Sequence, residues 1–136
     1  MNSRLLALTL IVLSITGCSD LGTEVLTFKD IPETSAEFAR ASIIGKWHLR
    51  QGVVLIHNVV YTPPCELVFH ADGTVTITQG IHTDTGPYTI SASTESHYLF
   101  FRLLDDYHYW SRVCSSMFGW DDRPTDGSIV LFERVW

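Results

Sequence analysis

Basic residues are scarce in this chain. Lysine and arginine number 9 against 15 aspartates and glutamates over 136 residues, a formal net charge of −6. No basic face or stripe stands out, which excludes the electrostatic footprint of a nucleic-acid binder. It also argues against polybasic attachment to anionic lipid. Cysteine occurs only 3 times, and never with the Cys-x-x-Cys spacing of a zinc site. The six histidines (His48, His57, His70, His82, His97 and His108) form no His-x3-His or His-Glu-x-x-His pair. There is no nucleophile elbow, phosphate loop or dinucleotide fingerprint. The chain is therefore expected to be non-enzymatic and to need no cofactor or metal. Paired carboxylates at a barrel mouth are the one catalytic arrangement that would escape such inspection. No apolar run approaches the ~20 residues of a transmembrane helix.

The N-terminus has a different pattern. Arg4 supplies a short positive region, and residues 5–15 are apolar almost throughout. At about 7–15 residues such a stretch suits a signal peptide and is too short to span a bilayer. It ends in Leu13-Ser14-Ile15-Thr16-Gly17-Cys18, with small residues directly before the cysteine. This resembles a lipobox, the cleavage and lipidation signal of bacterial lipoproteins. The alternative is an ordinary secretory signal with an incidental cysteine. The resemblance implies that residues 1–17 are removed and that Cys18 carries lipid as the new N-terminus. The chain would then be held to a membrane of the bacterial envelope, outside the cytoplasm, with the outer membrane as the expected location. One acyl chain holds weakly, so stable anchoring needs more than one. Losing Arg4 and no acid makes the remaining chain more acidic still, which favours solubility on a crowded surface.

Residues 18–136 suit one domain with a real core. With Cys18 used for lipid, Cys65 and Cys114 remain as a pair in an oxidising compartment, and a disulfide between them is expected. It would close a loop of roughly 50 residues and contribute about 2–4 kcal/mol. Two free buried thiols, or a metal site, are the other readings.

Residues 18–41 read as the lipidated cysteine, a tether to about residue 32, and a short helix capped by Thr34 or Ser35 with Phe38 facing the domain. From residue 43 the pattern turns to strands, rich in Val, Ile, Thr and aromatics and broken by Gly, Pro and Asp. Residues 44–56 read as a long first strand bent at Gly52, and residues 58–64 as a loop. A strand at 65–69 puts Cys65, Leu67 and Phe69 on one face. The Ala71-Asp72-Gly73-Thr74 turn leads to a strand with Val75 and Ile77 inward. A polar turn is expected over 80–86. Strands follow at 87–91 (Tyr88 and Ile90 inward), 97–104 and 107–113, then an irregular segment at 114–127 and a last strand at 128–135. About seven or eight short strands with almost no helix predict an all-β domain, a small antiparallel up-and-down barrel.

The segment Ile44-Gly45-Lys46-Trp47-His48-Leu49, a Gly-x-Trp entering the first strand after a helical lead-in, resembles the lipocalin (calycin) superfamily. The order that follows is similar to bacterial lipocalin-like lipoproteins: Cys65-Glu66-Leu67-Val68-Phe69, Ala71-Asp72-Gly73-Thr74-Val75, Gly86-Pro87-Tyr88-Thr89-Ile90 and Ile129-Val130-Leu131-Phe132-Glu133-Arg134. The resemblance covers residues 42–136. It implies that Trp47 plugs the closed end of the barrel and that Arg134 packs across it. Classical lipocalins are longer, and their two further motifs are not evident. Physically, Gly45 permits a sharp entry into the strand, Trp47 buries a large surface, and Arg134 can stack on it.

Two acidic clusters invite a cation. His82 and Asp84 alternate on one face of the expected turn, where a solvated turn is the plain reading. Asp121, Asp122 and Asp126 form an oxygen-rich cluster that suits calcium in composition but lacks EF-hand spacing. Aromatics crowd the C-terminal half, and Met117-Phe118-Gly119-Trp120 reads as an apolar loop tip beside Cys114, either a lid or a partner contact. The chain is expected to be a lipid-anchored extracytoplasmic binding protein. Its barrel would take a small apolar ligand or lipid between Leu67, Phe69, Val75, Ile77, Tyr88, Ile90 and Phe100, with Phe118 and Trp120 near the mouth. The alternative is an envelope protein-interaction module, inhibitor-like or structural, with a filled barrel and no ligand cavity. The motif of the lysozyme-inhibitor lipoproteins is absent.

Overall fold

The computed structural model describes residues 28–93, 97–121 and 129–136. The 1–17 leader, Cys18, Asp122 and Asp126 lie outside them. One short helix, α1 (Ala36–Ser42), precedes ten strands. These are β1 (Gly45–Gln51), β2 (Val54–Ile56), β3 (Val59–Tyr61), β4 (Glu66–Phe69) and β5 (Thr74–Gln79), followed by β6 (His82–Ala92), β7 (Leu99–Leu103), β8 (Asp106–Val113), β9 (Met117–Asp121) and β10 (Ile129–Val135). Eight of them close a barrel in the order β1-β10-β9-β8-β7-β6-β5-β4, while β2 and β3 form a separate hairpin. Every pairing is antiparallel, and β10 closes onto β1 with Trp47 opposite Arg134. The domain is thus an all-β up-and-down barrel with one helix before it. Closure leaves the barrel strands without a free sheet edge.

Alternation sets the inside. Trp47 and Leu49, Leu67 and Phe69, Val75 and Ile77, and Leu99, Phe101 and Leu103 are all buried on the inner face. The helix forms as its cap predicts: Ser35 Oγ accepts from the Phe38 backbone N–H at 3.1 Å. Ala36 and Ala39, however, are its buried face, and Phe38 is only half-buried.

Four local expectations are corrected. The long first strand ends at Gln51, because Gly52 has φ +97° and a Cβ there would meet the Ile129 carbonyl at 2.5 Å. The loop at 58–64 contains β3. His57 and Asn58 both take positive φ, the two-residue turn that suits the twist of a hairpin. The polar turn at 80–86 shrinks to Gly80 and Ile81, with β6 beginning at His82. The irregular segment at 114–127 contains β9, and Met117, Phe118 and Trp120 are buried.

The reason β9 carries no alternation lies outside the barrel. Residues 28–33, of which those up to about 32 are expected as tether, lie along its outer wall. Phe28 and Ile31 are buried with Cys114, Met117 and Leu131 in a second apolar cluster. Arg112 clasps this strap. One of its terminal nitrogens donates to the Lys29 and Ile31 carbonyls at 3.4 and 3.1 Å, and its guanidinium lies over Phe28 and Tyr98. With the strap on one side and the core on the other, β9 is apolar on both faces.

The expected Cys65–Cys114 bridge does not form. Cys65 is a free, buried thiol. It opens β4 within the main core, whereas Cys114 follows β8 in the cluster under the strap. Cys114 is itself disulfide-bonded, whereas Cys65 is free, so the two do not pair.

Candidate functional site

The barrel axis is occupied by a column of rings. Phe118, from β9, is its centre. It stacks on Phe132 at 4.2 Å and on Phe101 at 5.7 Å, and meets Trp47 and Phe69 edge-on at 4.8 and 5.6 Å. Trp120 extends the column, 5.2 Å from Phe132 and 5.9 Å from Phe101. Phe118 and Phe132 are direct partners on adjacent strands, while the contacts of Phe69 with Phe118 and with Phe101 join strands that are not neighbours in the barrel.

The residues expected to line a ligand cavity sort differently in space. Leu67, Phe69, Val75, Ile77 and Ile90 face the interior and are buried. Tyr88 is half-buried, its ring edge-on to Phe69 at 4.9 Å. Phe100 is corrected: Leu99, Phe101 and Leu103 take the inner face of β7, and Phe100 packs outside against Tyr107 at 5.6 Å. Phe118 and Trp120 are core residues of a strand rather than the tip of a mouth loop.

One end of the barrel is held by Arg134. Its guanidinium lies 4.4 Å from the Trp47 ring. Its Nε donates to the Ser115 carbonyl at 2.6 Å, and its two terminal nitrogens donate to the carbonyls of Ile44 (3.1 Å) and Ser42. Trp47 Nε1 donates to the Ile43 carbonyl at 2.8 Å. Gly45 makes room for this arrangement. Its φ is +132°, and a Cβ there would stand 2.7 Å from an Arg134 nitrogen. Burial lowers the Arg134 pKa from its ordinary value, yet arginine stays charged throughout the working range. The helix α1 lies at this same end, since it leads directly into β1.

The opposite end is covered by the β2–β3 hairpin, which turns Val54, Ile56 and Tyr61 into the core. Its tip is tied down by His57, whose Nδ1 lies 3.2 Å from Asp84 and whose Nε2 lies 3.4 Å from Asp105. Asp84 therefore faces His57, whereas the His82 ring sits 5.9 Å from Tyr61. Among the described residues no group of three or more His, Cys, Asp and Glu side chains is arranged to hold a metal. Tyr61 Oη and Trp120 Nε1 are buried with no hydrogen-bond partner. Removing such a hydroxyl costs little, because the folded state gains nothing from it. Tyr61→Phe is expected to leave the melting temperature unchanged or raise it slightly, as thermal unfolding would show.

Beside this end, on the outer wall, lies a cleft of about 560 Å³ lined by His48, Leu49, Pro63, Pro64, Cys65, Glu66, Thr78 and Gly80. Its floor is a register row across three strands, His48 beside Glu66 and Glu66 beside Thr78. Glu66 is flanked by Lys46 at 3.9 Å and His48 at 3.7 Å, both partly exposed, and such pairs add little stability. Burial, and secondarily the Glu66 charge, push the Cys65 thiol up to about 11. The thiolate is the reactive form, so little is present at pH 8. Cys65 is expected to resist a disulfide reagent in the native protein at pH 8 and to react at once in denaturant, as measured by thiolate release.

No protein-family model, curated protein or solved structure matches the chain.

Proposed function

We propose that this chain is a lipid-anchored envelope protein whose barrel is filled, and that it works through its outer surface as a protein-interaction module. The observation that carries the reading is the ring column. Six large rings from five strands touch one another at 4.2–6.1 Å between centroids, which supports a packed interior. Ligand pockets usually enclose about 300–1,000 Å³, and a side-chain column along the axis competes for that space directly.

The anchor rests on Cys18 and the leader before it. Cys18→Ser is expected to move the protein from the membrane pellet to the soluble fraction of the envelope. Continued sedimentation with membranes would sink the anchor. The interior is tested separately. The unmodified protein should bind no apolar fluorescent probe saturably and should carry no co-purifying lipid in native mass spectrometry. Stoichiometric lipid would return the barrel to ligand binding.

A second reading is favoured by the outer cleft. Its volume falls within the range of small-molecule sites, and its proline walls and Glu66–His48 floor suit a compact ligand with one basic or hydrogen-bonding group. Thr78→Trp would fill that cleft without touching the core. Loss of a small-ligand interaction in that variant alone would assign the interaction to the wall rather than the interior.

A further inference from the structure

The hairpin-capped end presents an apolar surface. Leu55 and Val60, paired across β2 and β3, are 53% and 54% exposed, and Val53 beside them is 50% exposed. Ile81, at the tip of the β5–β6 turn, is wholly exposed. The two elements adjoin: the Thr62 backbone N–H donates to Gln79 Oε1 at 2.8 Å, and Tyr61 packs 5.9 Å from His82. Single exposed aliphatics need no explanation, but a cluster on adjoining turns does.

Charge sharpens the pattern. Residues 51–65 and 74–83 contain no Asp, Glu, Lys or Arg, in a chain whose net charge is −6. The bordering carboxylates of Asp84 and Asp105 are turned to His57. The hairpin and the β5–β6 turn themselves present aliphatic, hydroxyl, amide and imidazole groups, with the carboxylates of Asp84, Asp105 and Asp121 at their margin.

We infer that this end of the barrel is a membrane-docking surface, with Leu55, Val60, Val53 and Ile81 seated in the interfacial margin of a lipid bilayer. The inference takes from the proposed function only the anchor that keeps the domain near a membrane. Patch size favours a bilayer over a second copy. Four aliphatic side chains fall far short of the ~800 Å² per partner of a stable protein interface. A tethered contact needs much less, because the anchor already supplies a high effective concentration. Reach also fits. Cys18 precedes Phe28, which is fixed on the barrel wall, by ten residues, and at most about 33–36 Å of extended chain connects them. The barrel strands hold four to eleven residues and rise about 3.3 Å per residue, so even β6 spans roughly 36 Å and the tether can run the height of the barrel. Docked this way, α1 and the exposed Trp136 point away from the membrane, toward envelope partners.

The test uses the full chain, isolated from its membranes and reconstituted in phosphatidylcholine vesicles that contain a spin-labelled phospholipid. Ile81→Cys and, as a control on the opposite half of the outer wall, Glu133→Cys are labelled with bimane. The unsubstituted protein serves as the blank, Cys65 being buried. Residue 81 should be quenched about threefold more strongly than residue 133, and salt at about 0.5 M should not release it. Adding Leu55→Ser and Val60→Ser should abolish the difference. These positions are exposed, so the fold survives and is checked by circular dichroism. A protein with lipid on Cys18 by mass spectrometry but equal quenching at both positions overturns the docking surface and leaves the anchor standing. Strong quenching at residue 81 in a chain without lipid supports docking and overturns the anchor. Neither lipid nor quenching overturns both.

Discussion

Phe118→Ala is expected to lower the unfolding free energy by about 3–5 kcal/mol, the range for truncating a buried phenylalanine. Phe118 belongs at the upper end of that range. Its ring touches Trp47, Phe69, Phe101 and Phe132 at centroid distances of 4.2–5.7 Å. Those neighbours come from four other strands of a closed barrel. None can collapse into the void without dragging its strand against two hydrogen-bonded partners, so the cavity stays open. An apolar cavity of that kind remains dry and accepts a small aromatic molecule. The variant should therefore gain saturable binding of benzene or indole that the parent lacks, seen as a ligand-dependent rise in melting temperature. Chemical denaturation and the ligand titration check the two halves separately. A loss below about 1 kcal/mol would mean that the column is loosely packed and that the barrel has room for a ligand after all.

Arg134→Lys is the second large effect, and it tests geometry rather than charge. The guanidinium fork serves carbonyls of Ser42, Ile44 and Ser115 at once and lies over Trp47. These join the end of α1, the start of β1 and the turn before β9. A lysine ammonium is a point charge without the planar fork. It can satisfy at most part of that set, and the remaining carbonyls lose a charged donor, each such bond contributing about 1.5–3 kcal/mol. A destabilisation of about 2–4 kcal/mol is expected, together with a change in Trp47 fluorescence. Trp47→Phe in the same background separates the stacking from the carbonyl bonds. If lysine substitutes without loss, the end of the barrel is held by packing on Trp47 alone.

Both effects depend on residues whose importance was only partly legible beforehand. Trp47 and Arg134 could be singled out through the Gly-x-Trp entry and the last strand. What Arg134 binds could not, since its carbonyl partners lie 19–92 residues away in sequence. Phe118 was legible as apolar but was expected at a loop tip. Periodicity identifies a strand when one face is wet, and β9 has none because the 28–33 strap covers its outer side. Phe100 and Phe101 show the same limit: adjacent aromatics give no phase by themselves, and the barrel's closure decides which one turns inward. The β2–β3 hairpin was hidden by its turn, where His57 and Asn58 take the place of the usual Asn-Gly.

The sequence by itself determined that this is an all-β chain with a short capped helix, that β4 and β5 bury Leu67, Phe69, Val75 and Ile77, and that the surface is acidic. Those properties are local. They follow from side-chain alternation, capping and composition, which act between near neighbours and survive without knowledge of the whole. Only the tertiary structure decided that the strands close, that rings from five strands meet on one axis, and that Cys65 and Cys114 lie in different clusters. It also decided that Leu55, Val60, Val53 and Ile81 remain uncovered at the hairpin-capped end. Those outcomes depend on which distant segments share space, and that is fixed when β10 hydrogen-bonds to β1 and the N-terminal strap settles on the wall they complete.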